Sequence, residues 1–119
     1  MSGPNVNITN PIETALTQVK TTALAASKII KASPGTLTHL VVTNTKASAQ
    51  FCQVFDSATL PAESAVPLVS FKLPAGDARS YDIGGPGMPF TAGIVACNSS
   101  TQGTKTIGSA DCLFFAAIR

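Results

Sequence analysis

Ser33-Pro34-Gly35-Thr36-Leu37-Thr38-His39-Leu40-Val41-Val42-Thr43-Asn44-Thr45-Lys46 reads as a turn, a strand and a second turn. Proline presets φ, glycine accepts positive φ, and asparagine tolerates the left-handed region, so both ends of the run are punctuated. Between them Thr38, Leu40, Val42 and Asn44 fall on one side of an extended chain, because side chains alternate along a strand. The same reading extends outward. Turn signals recur at Leu60-Pro61-Ala62, Pro74-Ala75-Gly76-Asp77, Gly84-Gly85-Pro86-Gly87, Asn98 to Gly103, and Gly108-Ser109. Short runs rich in Val, Ile, Phe, Thr and Leu separate them. Strands spaced roughly ten residues apart indicate an all-β sandwich or barrel.

The expected strands are 23–31, 36–44, 49–56, 66–73, 78–83, 90–97, 104–107 and 111–118. About eight short antiparallel strands suit a jelly-roll-like, two-sheet sandwich. No helix-length periodic segment interrupts them, which argues against a parallel α/β sheet. Residues 13–26 are mixed. Leu16, Val19, Ala23 and Leu24 fit helical spacing, whereas Thr14, Thr17, Thr21 and Thr22 favour extended chain. The chain divides into an extended amino-terminal arm, 1–22, with room for one short strand, and a β-sandwich domain, 23–119. Val69, Phe71 and Leu73 share one strand face. Phe71, Phe90, Ile94 and Phe114 are the core candidates, each worth about 1.5–3 kcal/mol when buried.

Gln50-Phe51-Cys52-Gln53-Val54-Phe55, Phe90-Thr91-Ala92-Gly93-Ile94-Val95-Ala96-Cys97 and Cys112-Leu113-Phe114-Phe115-Ala116-Ala117-Ile118 are apolar at odd and at even positions. A two-sheet domain needs one apolar face per sheet. The second face calls for a cover, and another protein chain is the simplest one. Phe51, Phe55, Leu113 and Phe115, opposite the core positions, are the expected oligomer contacts.

Composition agrees. The chain has 119 residues, enough for one core. Only 12% are charged, against about 25% in ordinary globular proteins, which fits a surface partly occupied by neighbours. The net charge is +2 with Lys and Arg scattered, so no basic stripe marks nucleic acid as a partner. No apolar stretch approaches the roughly 20 residues that cross a bilayer. Met1 to Thr9 has neither a basic region nor an apolar core, so assembly in a cytoplasm, with no membrane partner, is expected.

Chemistry has few candidates. His39 is the single histidine, set between Thr38 and Leu40, and reads as a strand residue. Cys52, Cys97 and Cys112 lack metal-ligand spacing and read as buried free thiols. Glu13, Glu63, Asp56, Asp77, Asp82 and Asp111 sit mostly at strand ends and turns, where Asp caps backbone donors. No Gly-x-Ser-x-Gly elbow is present. Gly84-Gly85-Pro86-Gly87 has no following Lys-Ser/Thr pair, and its proline removes an amide donor a phosphate loop needs. No catalytic residue, metal or cofactor is expected. Tyr81 is the only tyrosine and tryptophan is absent, which weakens a sugar-binding reading.

The run Ser27-Lys28-Ile29-Ile30-Lys31-Ala32-Ser33-Pro34-Gly35-Thr36-Leu37 resembles the opening strand and turn of small β-sandwich virion proteins of tailed bacteriophages. Leu60-Pro61-Ala62 with Val66-Pro67-Leu68-Val69 is similar to their middle segment. Phe90-Thr91-Ala92-Gly93-Ile94-Val95, Asn98-Ser99-Ser100-Thr101 and Lys105-Thr106-Ile107-Gly108 are similar to their carboxy-terminal hairpin. The likeness spans residues 23–118. It implies a virion structural protein, foremost a capsid decoration or cement protein on the capsid surface. Its implied partners are itself, as a homotrimer, and the major capsid protein. A tail or fibre accessory that recognises a host receptor through loops 57–65, 84–89 and 98–103 is the alternative.

Overall fold

The computed structural model describes residues 15–119. These form nine strands: β1 Thr17–Lys20, β2 Ser27–Lys31, β3 Gly35–Asn44, β4 Gln50–Asp56, β5 Val69–Leu73, β6 Ala78–Asp82, β7 Met88–Phe90, β8 Ile94–Ser99 and β9 Cys112–Ile118. Sheet one runs β1-β9-β3-β6, with β7 on the amino-terminal part of β3. Sheet two runs β2-β8-β4-β5. All pairings are antiparallel. Apart from the added β7, this order is that of a jelly roll, two four-stranded sheets closed on one another.

Alternation explains the core. Leu40 and Val42 of β3, Cys52 and Val54 of β4, Ile94 and Ala96 of β8, and Cys112, Phe114 and Ala116 of β9 point inward and are fully or nearly fully buried. Phe90 joins them, and Phe71 packs against their margin with its ring centroid 5.8 Å from that of Tyr81. One irregularity interrupts the β9–β3 register, between Ala117 and Ile118. It turns both Leu37 and Thr38 of β3 inward, at 0% and 2% exposure.

Four strand expectations change. The run 23–31 is a strand only from Ser27, and Ala25 bridges instead to Cys112 of sheet one. The run 90–97 divides: Phe90 pairs with Gly35 in sheet one, while Ile94 opens β8 in sheet two. The crossing at Thr91-Ala92-Gly93 is pinned by Asp56, whose carboxylate accepts the amides of Thr91 (3.0 Å), Ala92 (2.8 Å) and Gly93 (3.3 Å). Gly93 has no room for a side chain, since a Cβ would lie 2.5 Å from the Ser57 carbonyl oxygen and 2.6 Å from that of Lys31. Residues 104–107 form no strand. Only Ile107 bridges to Ser99, and Lys105 instead exchanges backbone bonds with Ser64 and Ala65. Residues 66–68 stay outside β5, where Pro67 has no amide to donate. Within the segment read as an arm, β1 pairs with β9, while residues 1–14 lie outside the described residues.

Candidate interaction face

The outward positions of the two sheets are treated differently. On sheet two they include Phe55, Val95 and Cys97, a second small apolar cluster against which Ala65 packs. Loops 57–68 and 100–107 lie over it and are zipped together: Ser64 N donates to Lys105 O (2.8 Å) and Lys105 N to Ala65 O (2.7 Å). Gln53, outward on β4, holds this cover down. Its Nε2 reaches the carbonyl oxygens of Thr101 (2.9 Å), Gln102 (3.0 Å) and Thr104 (2.9 Å). The expectation that another chain covers every second apolar face is therefore corrected for sheet two. The chain's own loops do so, because the long β4–β5 and β8–β9 connections fold back. Phe55 is only 4% exposed and has no open surface, whereas Phe51 on the same strand is half-buried.

The cover leaves its own crest. Leu60, Val66, Leu68 and Ile107 are more than half exposed. The two ionisable groups of these loops are engaged within them: Glu63 Oε1 accepts the Ile107 amide (2.9 Å), and Lys105, buried, donates its ammonium to the Pro61 carbonyl (2.6 Å). The crest is apolar, and Glu63, itself exposed, is the charged side chain that borders it.

Among the described residues, no loop lies over the outward face of sheet one. Its rows follow from register. Lys20, Phe115, Val41 and Ser80 form one, Gln18, Ala117, His39 and Asp82 the next, and Leu113, Thr43 and Ala78 the third. Leu113 is 39% exposed, and Phe115, Val41, Thr43 and His39 are half-buried. Leu113 and Phe115 thus share an open apolar stripe, while Phe51 and Phe55 lie on the other sheet. Polar groups rim the stripe: Lys20 on the β1 margin, and His39 with Asp82 (3.8 Å) on the β6 margin. Val41 was legible as an outward apolar residue from its place in the Leu40-Val41-Val42 run.

A buried polar network closes one end of the sandwich. Asp111 Oδ1 accepts from Gln50 Nε2 (2.7 Å) and Asn98 Nδ2 (3.0 Å), and its Oδ2 from Ser109 (2.6 Å). Asn44 ties Gln50 to the carbonyls of Ser48, Leu73 and Pro74. Burial opposes the Asp111 charge, yet hydrogen bonds from Ser109 and Gln50 and the nearby Lys46 hold its pKa below the ordinary value. The amides of Thr91, Ala92 and Gly93 hold Asp56 below it too. Burial pushes all three thiols up, Cys52 furthest. These groups serve the frame. Among the described residues there is no ligand-sized cavity and no group of three His, Cys, Asp or Glu side chains placed to share a metal.

The chain matches no protein-family model and no curated relative. Among solved structures it is similar to the coat protein of tobacco streak virus, at 14% identity and a TM-score of 0.42, over 94% of this chain and 90% of that one.

Proposed function

We propose that this chain is a non-enzymatic virion structural protein, a capsid decoration protein that bridges neighbouring subunits of the major capsid protein on the head surface. The observation that supports this reading is the pair of apolar surfaces left open on a sandwich whose core is already complete. One is the Leu113–Phe115–Val41 stripe of sheet one, and the other the Leu60–Val66–Leu68–Ile107 crest. Contiguous exposed apolar surface on a small domain marks a site of association. The sequence resemblance to phage virion proteins supplies the setting.

The mechanism is mechanical. The sandwich is a rigid block. Its apolar crest docks on apolar shell surface, and self-association through sheet one joins copies into a multivalent clamp. Multivalent attachment multiplies weak contacts through effective concentration. Buried area across subunit junctions then opposes separation of the shell. Two of the three loops of the receptor-binding alternative, leaving out 84–89, are committed to the chain's own structure. Residues 57–65 and 98–103 are tied to the chain's own sheet, and Tyr81 packs against Phe71.

The test is co-sedimentation of purified protein with emptied phage capsids, followed by heating of decorated and bare shells. Saturable binding that raises the temperature of shell disruption is expected. Failure to bind shells, together with binding to whole host cells or a glycan array, would transfer the protein to the tail.

A further inference from the structure

We propose that the open face of sheet one pairs with the same face of a second copy about a twofold axis running along the strands, between β9 and β3. The strand order carries this. Rotation about such an axis sets each strand of one copy over its mirror position in the other, so β1 meets β6 and β9 meets β3. Phe115 then meets the second copy's Val41, since the two share one register row. Leu113 meets the second copy's Thr43 for the same reason.

Charge distribution selects this axis. Lys20 and Asp82 occupy opposite margins of the face, one row apart in register. The rotation brings Lys20 of each copy toward the second copy's Ser80 and Asp82, giving two symmetric rim attractions. An axis perpendicular to the strands instead sets each margin against itself, Lys20 near Lys20 and Asp82 near Asp82. Aligned sheets pack about 10 Å apart with strands roughly 30° from parallel, a geometry two copies of this face can adopt. Self-complementary contact of this kind makes closed pairs. It gives a dimer, in place of the trimer the resemblance implies.

Four strands at ~4.8 Å spacing and seven residues at ~3.4 Å give a face of roughly 19 by 24 Å. Two such faces bury on the order of 1,000 Å², near the lower limit of specific interfaces. The pairing is therefore concentration-dependent. It uses only this chain and deepens the self-association on which the proposed clamp rests, while docking of the crest on a shell does not depend on it.

The experiment is sedimentation equilibrium of the full chain, with the reversals Lys20→Glu and Asp82→Lys singly and together. Both residues are exposed, so folding is preserved, and circular dichroism checks this. A monomer–dimer equilibrium is expected. Each single reversal weakens it about tenfold, and the double reversal restores it. Leu113→Lys abolishes it. A monomer at every concentration, a trimer, or a dimer indifferent to the reversals overturns the pairing. A monomer that still co-sediments with capsids overturns the pairing alone and leaves the virion reading standing.

Discussion

The hydroxyl of Thr38 donates to the carbonyl of Ala117 at 2.7 Å, at the point where the β9–β3 ladder slips. The slip interrupts regular pairing beside a buried peptide group, and Thr38 supplies a donor from the facing strand. Replacement by valine keeps the shape and removes the donor. Thr38→Val is expected to cost about 1 kcal/mol, the net worth of one buried hydrogen bond. Urea unfolding measures it, and an unchanged midpoint would mean that this bond contributes nothing to stability.

Gly93 and Gly103 offer a matched contrast. A Cβ on Gly93 would press on two backbone carbonyls, whereas one on Gly103 meets nothing within 4 Å. Gly93→Ala is expected to destabilise by about 1–3 kcal/mol, in the range of overpacked cores. Gly103→Ala should leave the melting temperature within a degree or so, as exposed sites do. Equal melting temperatures would remove Gly93 as the constraint on the sheet crossing.

Asp56 and Asp111 both have folded-state pKa values lowered from the ordinary carboxylate value, so the folded state favours their ionised forms. Their contribution is present above the unfolded pKa of about 3.9 and is lost as pH falls through the lower folded values. Stability should therefore decline on acidification through this window. Asp56→Asn, which cannot ionise, should flatten the profile. Melting curves from pH 6 downward test this, and a slope identical to wild type would rule out Asp56 as a source.

Gln53 is the clasp of the loop cover. Gln53→Leu removes the donor shared by three carbonyls of residues 101–104 and leaves the two sheets intact. Amide exchange should accelerate across 100–107, with core strands unchanged, because loops open locally. Uniform acceleration over the whole chain would instead mark Gln53 as a core residue.

The three thiols are buried and their pKa values raised, so a thiol reagent should label none of them in the native protein at neutral pH. All three should label after unfolding. Rapid native labelling of Cys97, which lies beneath the loops, would show that the cover opens readily.

The frame was legible where local chemistry decides it. Phe90, Ile94 and Phe114 reach the core, and Phe71 its margin, because turn residues bracket strands whose alternation assigns an inner face. Strand order was not legible, since periodicity records which side a residue faces and not which strand it meets. Thr104–Ile107 has extended-chain composition but becomes a lid, a choice made by contacts with residues 63–65 far along the sequence. Phe55 and Phe115 look alike locally, yet one lies under a loop and the other is partly open. Asn44, Gln50 and Asn98 resemble solvated turn markers. Their burial follows from convergence on Asp111, which spacing does not encode.

The strand formed by residues 112–118 is the last of the described strands along the sequence, yet it takes an interior place between β1 and β3. Among the described residues it is the sole link by which β1 joins sheet one. Truncation before Cys112 would therefore do more than trim an edge: it would unstitch the sheet through its middle and remove Leu113 and Phe115 with it.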